Sequence, residues 1–154
     1  MLEAGAHLPE FQLERLGGGV ETRDSVSAGK RALLAFFKVS CPVCQFTFPF
    51  LERIHQASDA NVFGVSQDNG ESTGAYNRRF GVTFPTLLDP ADQDYPASNA
   101  FGISSVPSMF LVEPDGKISW ASHGFSKRDL EALGKMLDAA PFRAGEQVPE
   151  WQPG

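Results

Sequence analysis

The stretch Ala32 to Phe50, which reads ALLAFFKVSCPVCQFTFPF, decides the fold of this chain. Its first six residues, Ala32 to Phe37, form an apolar run with the length and aromatic content of a buried strand. A short loop follows and exposes Cys41. Pro42 then suits a first helical position, because it needs no amide partner there and its fixed φ matches a helix. The pattern therefore predicts a strand, a loop and a helix, with Cys41 at the helix N-terminus.

Cys41 and Cys44 are the only cysteines of the chain and form a CxxC motif. Unpaired amides and the positive end of the helix dipole stabilise a thiolate over a thiol, which predicts a nucleophile at Cys41. Cys44 lies one helical turn further on, where we expect it to face inward and to attack any mixed disulfide formed at Cys41. The spacing itself indicates a two-thiol redox cycle.

The rest of the chain predicts strands and helices around this motif. Glu10–Arg15 and Val20–Arg23 form a small hairpin in front of the main fold, joined by three glycines, and Ser25–Lys30 is a polar turn. The CxxC helix reaches roughly to Ala57. Further strands are expected at Asn61–Ser66, Val82–Asp89, Ser108–Val112 and Lys117–Ala121. Further helices are expected at Glu71–Phe80, Tyr95–Phe101 and Ser126–Ala140.

Local signals mark where several of these elements begin and end. Gly81 and Gly102 end two of the helices, and the tetrapeptide EPDG at 113–116 joins the last two strands as a hairpin. The closing helix begins with a capping box that runs from Ser126 to Asp129. The order is β-α-β-α, then an antiparallel pair and a last helix. This order predicts an α/β fold.

The composition is that of one globular domain. With 154 residues, 42% of them hydrophobic, and 13 Phe, the chain is long enough for a sizeable core, and no break in composition indicates a second domain. We expect the domain to span residues 1–140, and residues 141–154 to form an extended C-terminal tail. The formal charge of -6, with scattered Lys and Arg, gives no basic stripe, so we expect no nucleic-acid partner. We expect a monomer.

The N-terminal stretch MLEAGAHLPEFQLERLGGG has neither a basic start nor the apolar segment typical of a signal peptide. No later stretch approaches the ~20 apolar residues of a membrane span, so no membrane partner is expected. We therefore expect a cytoplasmic protein, or a periplasmic one if a signal or anchor has been removed. Because both cysteines belong to the CxxC motif, no structural disulfide framework indicates the compartment.

Four pieces of the chain resemble the TlpA/ResA-type thiol-disulfide oxidoreductases, which are thioredoxin-fold proteins within the broader AhpC/TSA redoxin superfamily. The pieces are AGAHLPEFQL, FFKVSCPVC, FGVTFPTLLD and SVPSMFLVEPDGKI, in the family's order between Ala4 and Ala140. The resemblance implies a thioredoxin-like three-layer α/β/α sandwich with a central mixed sheet, here with an added N-terminal β-hairpin. It also implies an enzyme that exchanges its dithiol or disulfide with protein thiols and disulfides, or with a thioredoxin-type electron donor. No cofactor is implied beyond the Cys41-Cys44 disulfide.

The same resemblance assigns roles around the motif. Cys41 is the attacking thiolate and Cys44 the resolving thiol, and Val106-Pro107 corresponds to the cis-proline turn that stands against the cysteine pair. In such a turn the Val106 backbone is free to pair with an extended substrate segment, while Pro107 offers no amide and keeps metals off the sulfurs. This turn is the expected substrate-docking edge.

The chain departs from the family at several positions. Ala35 stands where thioredoxins have a buried carboxylate, and Thr47 stands where ResA-type members have a glutamate, so no acid-base group for the second cysteine is evident. Lys38 is unusual at its position: it either adds positive charge beside the first cysteine or is an exposed lysine at a strand end. Pro42 and Val43, between the cysteines, tune the redox potential, and the direction of the reaction stays open.

Three other functions are alternatives. Zinc sites use the same CxxC spacing, but here no second cysteine pair exists, and His7, His55 and His123 lie far apart in sequence, so we expect no metal. A peroxiredoxin-like antioxidant peroxidase requires the pattern P-x-x-x-T-x-x-C, and neither cysteine has the threonine or the proline at the required distance. A non-catalytic thioredoxin-fold binding module would use the Val106-Pro107 edge without turnover, but binding needs no paired thiols.

Overall fold

The computed structural model describes all residues, from Met1 to Gly154. The strands are β1 (Gln12–Arg15), β2 (Val20–Thr22), β3 (Ala32–Phe37), β4 (Asn61–Ser66), β5 (Thr86–Leu88), β6 (Ser108–Val112), β7 (Ile118–His123), β8 (Phe125–Ser126) and β9 (Trp151–Gln152). The helices are α1 (Arg23–Val26), α2 (Pro42–Ala57), α3 (Gly70–Phe80), α4 (Pro96–Ala100) and α5 (Lys127–Leu137), with a 3₁₀ turn at Ala91–Gln93. None of these helices combines the length and the apolar character that crossing a membrane requires.

Strand β3 forms the centre of the main sheet. All six of its residues are buried, and because successive side chains of a strand point to opposite faces, both faces of the sheet are covered there. Strand β6 is likewise buried along its whole length. The three-layer arrangement implied by the resemblance is therefore confirmed.

Seven strands form this sheet, in the order β2-β1-β5-β4-β3-β6-β7. The pairs β3/β4 and β4/β5 are parallel and the other neighbours are antiparallel, so the sheet is mixed, as expected. The expected hairpin of β1 and β2 forms, but it extends the sheet instead of preceding it. Glu14 and Arg15 of this hairpin pair with Leu88 and Leu87 of β5.

The pairing of β3 with β6 decides where the cysteines lie. Phe36 of β3 faces Ser108 of β6 in an antiparallel register, so the end of β3 and the start of β6 meet at the same edge of the sheet. The loop that follows β3 carries Cys41, and the turn that precedes β6 is Val106-Pro107. The register therefore brings together the two segments that the sequence singles out.

Helix α2 attaches to this edge through one apolar face. Cys44, Phe48, Leu51 and Ile54 are fully buried and follow one another at intervals of three or four residues. The ring of Phe48 packs on that of Phe37, at the end of β3, with 4.5 Å between the centroids. Such aromatic pairs add about 0.5–1.5 kcal/mol to the burial of their area, so the first half of α2 is held on the end of β3.

Two predicted boundaries near the N-terminal half were wrong. Helix α1 replaces the end of the strand expected over Val20–Arg23 and the start of the polar turn expected at Ser25–Lys30. Thr22 and Ser25 cap each other there: each side-chain oxygen accepts a hydrogen bond from the backbone N–H of the other residue. The strand expected over Val82–Asp89 is reduced to β5. Pro85 precedes β5 and has no N–H to donate to a ladder, which limits the strand on that side.

The closing helix α5 differs in a smaller way. It ends at Leu137 instead of Ala140, with Asp138 in a left-handed conformation, φ 52°, at its end. Only half of the expected capping box forms. The Ser126 hydroxyl accepts a hydrogen bond from the N–H of Asp129 at 3.1 Å, but the Asp129 carboxylate accepts one from Ser122 at 2.7 Å instead of turning back to the helix start.

The segment from Pro141 to Gly154, here called the C-terminal arm, packs along the domain in an extended form. The ring of Phe142 contacts the rings of Phe50 and Phe125, with centroids 5.0 and 6.1 Å away. Further on, β9 pairs antiparallel with β8. The arm therefore returns to the part of the molecule where β7 ends.

The carboxylate of Asp89, fully buried, caps the start of helix α4 from a distant position in sequence. It accepts hydrogen bonds from the backbone N–H groups of Ala97 and Ser98, each at 2.8 Å, and from the Ser98 hydroxyl at 2.6 Å. The Ser98 hydroxyl in turn accepts a hydrogen bond from the Gln67 side chain at 2.8 Å. A buried carboxylate is stable only with such donors around it, so this network ties α4 to the ends of β4 and β5.

Replacing Asp89 by alanine leaves these three donors without their acceptor. We expect Asp89→Ala to lower the free energy of unfolding by about 3 kcal/mol, because unsatisfied buried donors and a lost helix cap both destabilise. Urea denaturation measures the difference. As a control, Asp92→Ala changes an exposed carboxylate three residues further on and should stay within about 0.5 kcal/mol of the wild type. Coinciding unfolding curves for Asp89→Ala and the wild type would contradict the role of the network.

Candidate functional site

The loop of residues 38–40 leads from β3 to α2 and is held from both sides by polar side chains. Asp68, after β4, accepts a hydrogen bond from the N–H of Val39 at 2.9 Å. Gln45, in α2, donates its side-chain amide to the Val39 carbonyl at 2.8 Å. The N–H and the carbonyl of Val39 are therefore both fixed, and so is the path of the backbone that leads to Cys41.

Cys41 is the N-cap residue of α2 and is partly exposed. Its Sγ accepts a hydrogen bond from the N–H of Cys44 at 3.1 Å, and its carbonyl accepts one from the N–H of Gln45 at 3.0 Å. Pro42 occupies the first helical turn, exposed to solvent, while Val43 packs partly against the core. Backbone donors at a helix N-terminus favour negative charge on the sulfur. Cys41 therefore lies where the sequence places it.

The peptide bond between Val106 and Pro107 is cis, and the Val106 carbonyl faces the sulfur of Cys41. The Cys41 Sγ lies 3.5 Å from this carbonyl oxygen, within reach for a thiol donor. The Val106 N–H donates no hydrogen bond within the chain, and Pro107 has no N–H. Beside the sulfur, the Val106 amide thus has no hydrogen-bond partner, and the Val106 carbonyl has the Cys41 sulfur as its only hydrogen-bonding neighbour.

Cys44 lies one turn further along α2 and has no exposed surface. Burial, together with a hydrogen bond to the Cys41 sulfur, raises the pKa of the Cys44 thiol well above its usual value. Both cysteines are free thiols in this structure. The pair is therefore asymmetric, with one sulfur accessible at a helix N-terminus and the other sheltered and protonated.

The two positions around Cys44 where the resemblance places acids hold none. Ala35 and Thr47 are both fully buried, and the Thr47 hydroxyl donates to the carbonyl of Val43 in its own helix at 2.7 Å. The ionisable group that sequence analysis missed is Tyr76 of α3, whose buried hydroxyl has no hydrogen-bond partner. Burial, and then the coulombic interaction with the two cysteines, raise the pKa of Tyr76, so it stays a neutral phenol at physiological pH.

Lys38 is exposed at the end of β3, and its side chain forms no ion pair. Its carbonyl accepts a hydrogen bond from the N–H of Cys41 at 3.2 Å, which places the residue directly beside the motif. With Gln67 and Ser105, Lys38 lines an open cleft of about 210 Å³ that reaches Val106. A positive charge therefore borders the cleft beside Val106.

Asp68 and Gln45, which hold the loop, were not singled out from the sequence. The one signal for Asp68 was its position just after a buried strand, because the carboxyl ends of neighbouring parallel strands meet at one edge of a sheet. Gln45 gave no signal, since a glutamine in the first turn of a helix is ordinary. No group of three or more His, Cys, Asp or Glu side chains is arranged to hold a metal ion.

Comparisons with known proteins agree with this geometry. The sequence model of the AhpC/TSA family matches residues 4–121. The thiol-disulfide oxidoreductase ResA of Geobacillus thermodenitrificans (strain NG80-2) is 29% identical over 132 residues, which cover 82% of this chain and 74% of the relative. The thiol-disulfide oxidoreductase ResA of Bacillus subtilis (strain 168) is 30% identical over 122 residues, which cover 76% of this chain and 65% of the relative.

Among solved structures, the thioredoxin domain of a thiol-disulfide oxidoreductase from Bacteroides vulgatus is similar over almost its entire length. The superposition has a TM-score of 0.78 at 22% sequence identity and covers 89% of this chain and 99% of that domain. At this level of identity the likeness shows a shared fold, so the thioredoxin-like fold expected from the sequence is confirmed.

The raised pKa of Cys44 predicts how the stability of the reduced protein depends on pH. An unfolded cysteine ionises near pH 8.5, whereas buried Cys44 keeps its proton, so above this pH the unfolded state binds fewer protons than the native state. Stability that is present below pH 8.5 is therefore lost as the pH rises. Between pH 7.5 and 9.5 we expect the reduced wild type to lose about 1 kcal/mol more unfolding free energy than Cys44→Ser, by urea denaturation with excess reductant.

Cys44→Ser is the matched control for this measurement, because a serine hydroxyl does not titrate in this range and all other groups are shared. The difference between the two proteins therefore isolates one thiol. Equal losses with rising pH would mean that Cys44 ionises in the native protein as it does in the unfolded chain.

Proposed function

The chain belongs to the AhpC/TSA family and is a thiol-disulfide oxidoreductase, and on that premise we propose that Cys41 is its nucleophile, Cys44 its resolving thiol and Val106-Pro107 its substrate-docking edge. Pro42 and Val43 shape the turn between the two sulfurs. The substrates are disulfides or dithiols of proteins. The proposal rests on one observation above the others: an accessible sulfur and a buried sulfur lie on one helical turn beside the Val106 backbone, whose N–H has no partner within the chain.

In the reducing direction the Cys41 thiolate attacks one sulfur of a substrate disulfide. A bond forms between this sulfur and Cys41 Sγ, the substrate S–S bond breaks, and the departing thiolate takes a proton from solvent. Cys44 then attacks Cys41 Sγ, the mixed disulfide bond breaks, and the proton of Cys44 passes to the released second substrate thiolate. Two electrons have passed to the substrate, a Cys41-Cys44 disulfide remains, and an external dithiol must reduce it. The reversed steps oxidise a substrate dithiol.

The docking edge and the ionisation of Cys41 are coupled through one oxygen. A thiol at Cys41 can donate to the Val106 carbonyl, 3.5 Å away, whereas a thiolate can only accept hydrogen bonds. In the ionised form the sulfur therefore keeps the Cys44 N–H and leaves the Val106 carbonyl to a substrate N–H. An extended protein segment would then pair with Val106 as an added strand does, next to the nucleophile.

Reduction of insulin disulfides by dithiothreitol tests the proposal. We expect the wild type to accelerate the reaction, and Cys41→Ser and Cys44→Ser to return it to the rate of dithiothreitol alone. Cys44→Ser should in addition accumulate a mixed disulfide between Cys41 and the substrate, visible by mass spectrometry, because the first step proceeds and the second has no attacking thiol.

The same proteins incubated with hydrogen peroxide and reduced thioredoxin distinguish the alternative chemistry. A peroxidase would consume peroxide rapidly through Cys41 and would leave insulin disulfides largely intact. A binding module would show no rate that the two substitutions could remove. Either outcome, or an absence of trapped mixed disulfide in Cys44→Ser, would contradict disulfide exchange.

We propose further that Lys38 favours the reactive form of Cys41 by its positive charge. Exposed charge interactions are worth about 0.5 kcal/mol, so Lys38→Gln should slow alkylation of Cys41 by iodoacetamide at pH 7 about twofold. The effect should vanish at high ionic strength, because salt screens exposed charges. Lys30→Gln is the control, since Lys30 is an exposed lysine before β3 instead of after it. Equal alkylation rates for Lys38→Gln and Lys30→Gln would remove Lys38 from the mechanism.

A further inference from the structure

We propose that residues Glu150–Gly154 form a strap over the substrate-docking edge, and that an extended protein substrate must displace this strap in order to pair with Val106. The inference rests on the proposed function, because the Val106 edge can dock a substrate for Cys41 only if Cys41 is the nucleophile. The strap regulates the same site by size: it excludes protein segments and leaves Cys41 open to small reagents.

The end of the strap lies against the edge itself. A Cβ atom built on Gly154 would overlap the Val106 carbonyl oxygen and would lie 2.8 Å from the Val106 carbonyl carbon, so the backbone of Gly154 is in direct contact with this group. A substrate N–H would need to bring its nitrogen to about 2.9 Å from the same oxygen. Gly154 occupies the space that this nitrogen requires, so the strap and an extended substrate exclude each other.

The strap reaches the edge by crossing Gly124, the residue between β7 and β8. A Cβ atom on Gly124 would lie 2.6 Å from the Gln152 carbonyl oxygen and 2.7 Å from the Trp151 ring. The N–H of Gly124 donates to the Pro107 carbonyl at 2.8 Å. The strap therefore lies on a residue that is itself bonded to the docking turn.

Few interactions hold the strap in place. Its backbone pairs with β8 over two residue pairs, Phe125 with Gln152 and Ser126 with Trp151, and the Glu150 carbonyl accepts a hydrogen bond from the N–H of Lys127 at 3.0 Å. The Trp151 ring meets that of His123 with 5.4 Å between the centroids but remains 46% exposed, and the ion pair of Glu150 with Lys127 is also exposed. A two-stranded pair of this length is marginally stable in water, so its opening is a low-energy event.

A stronger contact anchors the C-terminal arm before the strap. The Arg53 guanidinium donates to both carboxylate oxygens of Glu146, at 2.6 and 2.9 Å, and to the Pro141 carbonyl at 3.0 Å. The hydrogen bonds from Arg53 lower the pKa of Glu146 to about 2, so this pair stays ionised at neutral pH. Opening of the strap therefore leaves the rest of the arm in place and keeps the strap near the edge.

Alkylation of Cys41 tests the strap without requiring disulfide exchange. Three variants are compared with the wild type in the reduced state. One is a shortened chain that ends at Pro149, the second is Trp151→Ala, and the third is the control Glu150→Gln. Each reacts with N-ethylmaleimide and with a maleimide that carries a long polyethylene glycol chain. Buried Cys44 does not compete for either reagent.

If the strap covers the edge nine-tenths of the time, its removal raises access of a bulky reagent about tenfold. We therefore expect about tenfold faster reaction of the bulky maleimide with the shortened chain, a smaller gain for Trp151→Ala, and a change of less than about twofold for N-ethylmaleimide. Glu150→Gln should behave as the wild type, because it removes only an exposed ion pair to Lys127 at 3.6 Å. Equal rates for the shortened chain and the wild type with the bulky reagent would overturn the strap.

Insulin reduction by the same variants separates the strap from the proposed function. The shortened chain should reduce insulin faster than the wild type, and a synthetic peptide of residues 147–154 should slow it again at about millimolar concentration, which is the effective concentration of a tethered segment. Insulin reduction at equal rates in both proteins, unaffected by the peptide, overturns the strap and leaves disulfide exchange standing. A bulky-reagent gain without any insulin reduction overturns disulfide exchange and leaves the strap standing.

Discussion

The antiparallel register between β3 and β6 holds the two halves of the site together. Pairing of Phe36 with Ser108 sets the loop of Cys41 beside the turn of Val106, and the contact between the Cys41 sulfur and the Val106 carbonyl depends on that juxtaposition. A slip of one residue would turn each buried side chain of β3 to the opposite face of the sheet. Since all six of these side chains are closely packed in the core, such a slip would disrupt the packing on both faces of the sheet, and the core thereby fixes the geometry of the site.

Burial, not a neighbouring acid, distinguishes the two thiols. Ala35 and Thr47 carry no charge, and the raised pKa of Cys44 comes first from desolvation and then from Cys41, through a hydrogen bond and through charge. In the proposed mechanism, a mixed disulfide at Cys41 would carry no charge, so Cys44 would become easier to ionise once Cys41 has reacted. The proposed order of the two steps would then follow from the placement of the sulfurs.

The parts of this site that are local in sequence could be predicted from it. The strand before Cys41, the helix that begins at Pro42, and the glycine that ends α3 at position 81 each depend on a few neighbouring residues, and the structure has all three. The polar contacts that hold the site could not be predicted. Asp68 acts on Val39 across 29 positions, and Asp89 acts on Ser98 across a proline-containing turn, and neither leaves a periodic pattern.

The wrong boundary predicted around α1 has the same origin as the missed contacts of Asp68 and Asp89. The side chains of Thr22 and Ser25 accept hydrogen bonds from each other's backbone N–H groups, and this turns a polar segment into a short helix. Composition alone does not predict these two hydrogen bonds. In general, apolar periodicity reports which face of an element is buried, whereas individual hydrogen bonds decide where the element begins and ends.

The C-terminal arm shows why a segment without periodicity can still have a definite place. Its contacts are few and specific, namely two ion pairs, two aromatic rings and one short strand pair, so no repeated pattern is needed to position it. As the proposed docking edge, the Val106 backbone would have opposing requirements: its carbonyl and amide would need to be available to a substrate, yet such groups also invite pairing with any extended chain. A weakly paired segment of the same chain can meet both requirements, because it protects the edge at rest and yields to a partner that also engages Cys41.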